Sequence, residues 1–168
     1  MVRFRKIIFV FVFSGIFAFL HYSCENTCTS QMTANREIKL GFVKRTSTAI
    51  VDSTVGKVYV YAMKASDTIK FYWGVQAAKV GLELDQNNDS SVFYFKTDSL
   101  RSAKFIDTLI FTYHREIQLI SSECGFNTIF SLLNLKKYTN HIIDTVYTIV
   151  TDVNSDVDKN YKIALKTR

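Results

Sequence analysis

Apolar and polar residues alternate in run after run along this chain, which contains no proline and only six glycines. A period of two is the signature of half-buried strands, because successive side chains point to opposite faces. Arg36 to Val43 sets Ile38, Leu40 and Phe42 on one face. Lys57 to Met63 sets Val58, Val60 and Ala62 against Tyr59 and Tyr61, and Thr68 to Val75 groups Ile69, Phe71 and Trp73 opposite Lys70 and Tyr72. Further runs follow at Val80–Leu84, Ser91–Lys96, Ile106–Tyr113, Glu116–Ile120 (after a turn expected at His114-Arg115, or as a continuation of the preceding strand through a bend), Cys124–Leu133, Ile142–Val150 and Asn160–Leu165. About nine short strands with no amphipathic helix among them predict an all-β fold, an antiparallel β-sandwich. Without proline, the turns fall to Asn, Asp and Ser, so Asp85-Gln-Asn-Asn-Asp-Ser90 is expected to close a hairpin. Lys44 to Val55 is expected as a polar connection or a ragged edge, and Leu135 to Tyr138 has room for a helical turn. Trp73, the only tryptophan, is expected in the core.

The first 28 residues have a different character. Arg3, Arg5 and Lys6 precede the apolar run Ile7 to Leu20, and Cys24 and Cys28 follow it. As a helix that run would span roughly 21 Å, short of the ~30 Å hydrocarbon core. A basic head, a short apolar segment and a cysteine beyond it predict an export signal over residues 1–23. Residues 24–35 then form a tether and 36–168 the sandwich. Cys24 is the expected lipidation site, although His21 and Tyr22 fit a lipid box poorly; secretion without lipid and an uncleaved anchor are the alternatives. The expected location is the cell envelope, on the periplasmic side of the outer membrane or at the cell surface.

Three cysteines are an awkward number for an exported chain. Lipid on Cys24 leaves Cys28 and Cys124 to pair, and closing a loop of that length would stabilise by about 4–5 kcal/mol in the chain-entropy model. The alternative is that Cys124 is a small buried residue.

Charge excludes little. Of the excess of six positive charges, three belong to Arg3, Arg5 and Lys6. The remaining basic residues are scattered along strands, so no nucleic-acid partner is expected. Asp85–Ser90 and Asp152–Asp158 carry oxygen side chains at alternate positions, as calcium loops do. A calcium loop needs glycine at its sixth position and a bidentate acid at its twelfth. The first loop has Ser90 and Lys96 there, the second Val157 and Ile163, so no metal is expected. His114 and His141 lack metal-ligand spacing, and His114-Arg115-Glu116 fits an exposed charge group better than an acid–base centre. No catalytic residue, cofactor or assigned binding residue follows, and the chain is expected not to be an enzyme. Tyr59, Tyr61 and Tyr72 form a candidate exposed strip for sugar or peptide. Asp, then Ser or Thr, then an aliphatic residue or Thr recurs at Asp52-Ser53-Thr54, Asp67-Thr68-Ile69, Asp98-Ser99-Leu100, Asp107-Thr108-Leu109 and Asp144-Thr145-Val146. It is similar to an acceptor motif for O-glycosylation, and equally to the chemistry of a turn entering a strand.

Tyr113-His-Arg-Glu116 and Ser122-Glu-Cys-Gly-Phe-Asn-Thr-Ile-Phe130 carry a resemblance. With Cys24, Cys28 and Leu82-Glu-Leu84, they resemble an uncharacterised family of small Bacteroidota lipoprotein-like proteins. The resemblance implies a lineage and an envelope location but no activity. The expected role is that of a non-catalytic structural or interaction module, held to the membrane through Cys24 and facing an envelope protein or glycan. The alternative is a glycan- or peptide-binding accessory protein.

Overall fold

The computed structural model describes residues 36–64, 67–97, 105–122, 124–154 and 156–166. The expected signal segment and tether, Cys24, Cys28 and Asp98-Ser99 lie outside them. Ten strands run in order: β1 (Glu37–Arg45), β2 (Ile50–Asp52), β3 (Val55–Lys64), β4 (Asp67–Ala77), β5 (Lys79–Glu83), β6 (Ser90–Thr97), β7 (Asp107–Ser121), β8 (Gly125–Tyr138), β9 (Ile143–Thr148) and β10 (Tyr161–Leu165). The first sheet has the order β2-β1-β10-β9, with β5 also pairing β1, and the second β4-β3-β6-β7-β8. All ladders are antiparallel except β1 with β10, which is parallel. The expected β-sandwich is thus found, mostly antiparallel.

The alternation built it. Ile38, Leu40, Phe42, Val80, Leu82, Tyr161 and Ile163 from the first sheet meet Val58, Val60, Phe93, Phe95, Leu109, Phe111 and Phe130 from the second, all essentially without solvent contact. Phe42 packs on Phe95 with ring centroids 5.7 Å apart, and Phe111 on Tyr161 at 5.3 Å, so aromatic pairs bridge the sheets. Each such ring contributes about 1.5–3 kcal/mol by burial.

Two local expectations fail and two open ones are decided. Asp85–Ser90 does not close a hairpin: β5 pairs β1 while β6 pairs β3 and β7, so the loop crosses between sheets. Turn-forming residues mark a reversal without saying which strand waits beyond it. Leu135–Tyr138 stays in β8 because Phe111 and Leu109 supply partners. Within Lys44–Val55 the edge reading holds, since Ile50–Asp52 pairs with β1 at the margin of the first sheet, and β7 runs through His114-Arg115 without a turn.

One polar joint between the sheets is built on a buried carboxylate. Asp107, fully buried, accepts hydrogen bonds from Thr139 Oγ1 and from the backbone N–H groups of His141, Ile142 and Ile143, each at 2.7 Å. These donors lie on the chain passing from β8 in the second sheet to β9 in the first. The turn-entry chemistry of Asp107-Thr108 thus becomes a clasp between sheets.

Candidate binding site

Strands β3, β4 and β6 present an aromatic outer face. On β3 and β6, plain alternation puts Val58, Val60, Phe93 and Phe95 inside and leaves Tyr59, Tyr61, Tyr94 and Lys96 outside. On β4 the alternation breaks twice. Tyr59 pairs with Trp73 and Val58 with Val75, leaving Gly74 unpaired; Val60 pairs with Tyr72 and Tyr61 with Lys70, leaving Phe71 unpaired. Each extra residue is a β-bulge and shifts the faces by one. Gly74 adopts φ +72, which favours glycine, and a Cβ there would sit 3.1 Å from the Tyr59 hydroxyl.

The bulges correct two expectations. Trp73 is not in the core: it lies half-exposed on the outer face, its ring 5.3 Å from Tyr59 and 6.3 Å from Tyr61, both edge-on. Tyr72 does not join the exposed strip: it turns inward against the core and accepts the Gly81 backbone N–H at its hydroxyl, 2.9 Å away. Of the sequence-predicted strip, Tyr59 and Tyr61 remain, joined by Trp73 and Tyr94. Tyr94 stacks on Tyr61 at 5.2 Å with planes 19° apart, and burial together with the Tyr94 neighbour pushes the Tyr61 hydroxyl pKa up. Tyr94 was legible from its place between Phe93 and Phe95. The hint for Trp73 was the glycine inside a strand.

Two cations complete the face. Lys70 Nζ lies 4.7 Å from the Trp73 ring centre, and Lys96 Nζ lies 4.9 Å from the Tyr59 ring and 5.4 Å from Trp73. Neither ammonium pairs with a carboxylate among the described residues, and the described strands β3 and β6 carry no acid at all. Such a face offers flat π-surfaces for stacking with cations at their margin.

A groove of about 530 Å³ opens beside it, walled by Ala62, Ile69, Phe71, Leu84 and Phe93 and by the loop after β5. That loop is pinned. Tyr113 Oη donates to the Asp85 carbonyl at 2.9 Å and lies 2.8 Å from Ser91 Oγ, which accepts the Asp85 N–H. Arg115 donates to Asp89 at 2.6 Å and to the Gln86 carbonyl at 2.7 Å. Burial pushes the Tyr113 hydroxyl pKa up. Burial also acts to raise that of the Asp85 carboxyl, but hydrogen bonds from Asn87 and Asn88 outweigh it and leave it low. Each Asp85 carboxylate oxygen thus accepts one hydrogen bond from within the loop.

Residues 57–165 match a family of unknown function, DUF6452. The chain belongs to that family. No curated protein and no solved structure matches it. Within the DUF6452 domain, the motif residues of β7 and β8 have visible tasks. Tyr113 and Arg115 hold the loop, and Phe130 meets Tyr113 edge-on at 5.1 Å in the core. Gly125, at φ +71, turns the β7–β8 hairpin, and Cys124 beside it is disulfide-bonded, its partner sulfur lying outside the described residues. His114 and Glu116 form an exposed contact at 3.3 Å, with Arg115 turned away to Asp89. His141 lies 3.2 Å from Asp107. Among the described residues no cluster of His, Cys, Asp or Glu could hold a metal, and no helix is long and apolar enough to cross a membrane.

Proposed function

We propose that this DUF6452 protein is a non-catalytic binding module of the cell envelope, with the aromatic face of β3, β4 and β6 as its working surface for glycan. The observation that carries the reading is the placement of Trp73, Tyr59, Tyr61 and Tyr94 on one solvent-facing patch of a rigid sheet. Exposing a lone tryptophan has no benefit for the core, and a pyranose ring offers the flat C–H patch that an aromatic face accepts. Export and anchoring belong to the same reading. The basic head and apolar run supply the signal of a Bacteroidota-type lipoprotein, Cys24 takes the lipid, and Cys28 bridges to Cys124.

Full-length protein in detergent micelles, screened on a glycan array, is expected to retain a subset of glycans. Trp73→Ala should weaken that retention about tenfold or more while leaving the fold intact. Equal retention by both proteins removes Trp73 from the function. Accumulation of an unprocessed precursor under globomycin, in cells expressing the full chain, tests the lipid on Cys24.

A further inference from the structure

The β7–β8 hairpin outruns its sheet. Strand β6 accompanies β7 only to Thr112, and from His114 to Ser121 the ladder partner of β7 is β8 alone. At about 3.3 Å per residue, the arm reaches up to roughly 25 Å past Tyr113. Its two sides differ. On one, Asn127 is buried and accepts hydrogen bonds from Arg36 Nε at 3.0 Å and from a terminal guanidinium nitrogen at 2.5 Å, which fixes the arm against the start of β1. On the other, Leu119 pairs across the ladder with Phe126, and Ile117 stands two residues back on the same face. These three are 55, 69 and 78 % exposed respectively. From Ile117 to Leu135 the sequence has one charged residue, Glu123.

Bare aliphatic and aromatic side chains on a ribbon end almost free of charge mark a contact surface. The neighbouring cysteine indicates what covers it. Cys124 is disulfide-bonded, and the other cysteines of the chain are Cys24 and Cys28, each within eight residues of the apolar run ending at Leu20. With lipid on Cys24 and the bridge at Cys28, the four Cα steps from one to the other span at most about 14 Å. A disulfide adds about 5.5 Å between Cα atoms, so Cys124 lies within roughly 20 Å of the acylated residue. That distance reaches the interfacial zone of the bilayer holding the anchor.

We propose that the tip of the β7–β8 hairpin is a membrane-contact element, with Ile117, Leu119 and Phe126 seated among the lipid headgroups beside the anchor. The inference rests on the anchor reading above. The acyl group and the hairpin together form a two-point attachment, which holds the sandwich at a set attitude to the membrane.

The test uses full-length lipidated protein in phosphatidylethanolamine/phosphatidylglycerol vesicles, with and without lipids brominated near the headgroup. Trp73 is the only native tryptophan and lies on the aromatic face, so wild-type protein supplies the baseline. The added emission of Phe126→Trp is expected to be blue-shifted and quenched by the brominated lipid, while wild-type emission is unchanged; Ile117→Trp serves as the second probe. Protein that floats with the vesicles but shows no quenching of either probe overturns the hairpin contact and leaves the anchor standing. A blue shift without quenching also overturns it, since protein rather than lipid then covers the tip. Protein that fails to float overturns the anchor reading itself.

Discussion

On the outer face of the first sheet, Lys159 reaches Asp52 and Lys79 reaches Asp158, both at 2.6 Å, with Lys162 3.8 Å from Asp52. On the outer face of the second, Lys70 and Lys96 lie over the rings of Trp73 and Tyr59 instead. The same side chain thus meets two kinds of neighbour. A carboxylate cancels the charge of its lysine and holds the ammonium in place. A ring attracts the ammonium only through its quadrupole and leaves the cation available to a ligand. One face is closed electrostatically, the other open. Glycine assists the closed face: the stem of Lys159 crosses Gly41, where a Cβ would come within 2.6 Å of it.

The largest effect should come from the joint that both faces share. Asp107→Ala leaves three backbone N–H groups at the β8–β9 junction without their acceptor, those of Ile142 and Ile143 buried. We expect a loss of about 3–5 kcal/mol in urea unfolding, with hydrogen-exchange protection falling at Ile142 and Ile143 first. If protection falls in one sheet only, Asp107 does not couple them.

A smaller effect separates the faces. Replacing Lys70 and Lys96 together by Ala removes three cation–π contacts, each worth about 0.5–1 kcal/mol at an exposed site. Trp73 emission should shift while the pairs of the first sheet are untouched. A double variant indistinguishable from wild type in both emission and melting would mean that the rings do not hold the lysines in solution.

The smallest effect is read best by titration. The hydrogen bond from Lys159 holds the Asp52 carboxyl pKa below the usual carboxylate range, and the bond to Asp52 holds Lys159 above the usual lysine range. A lowered carboxyl stabilises the fold above its unfolded pKa and loses that contribution as pH falls through the folded value. A raised ammonium contributes below its unfolded pKa and loses it as pH climbs through the folded one. The clasp is therefore complete between about pH 4 and pH 10 and opens on either side. Lys159→Met should return the Asp52 carboxyl toward its ordinary pKa in a carbon-detected NMR titration. An unchanged midpoint would mean that the pair is absent in solution.

Much of the fold was legible because strand alternation and core burial share one period. Ile38-x-Leu40-x-Phe42 and Phe93-x-Phe95 declare their inner faces, and Tyr59, Tyr61 and Tyr94 are outside by the same parity. The parity held until a bulge. Gly74 and Phe71 each insert one residue opposite β3, so the single tryptophan and one tyrosine exchanged the faces that counting assigns them. Pairing was less legible than parity, since the loop Asp85–Ser90 is written in turn residues whether the chain returns to the same sheet or crosses to the other.

By itself the sequence determined that this is a β protein with a two-faced core. Residue type and period suffice for that, because a half-buried strand admits few other patterns. Only the tertiary structure decided that β1 lies parallel to β10, that Tyr113 and Arg115 pin a loop 26 residues or more away, and that Trp73 looks outward. These depend on register between distant strands, which the partner strand sets and no local pattern encodes.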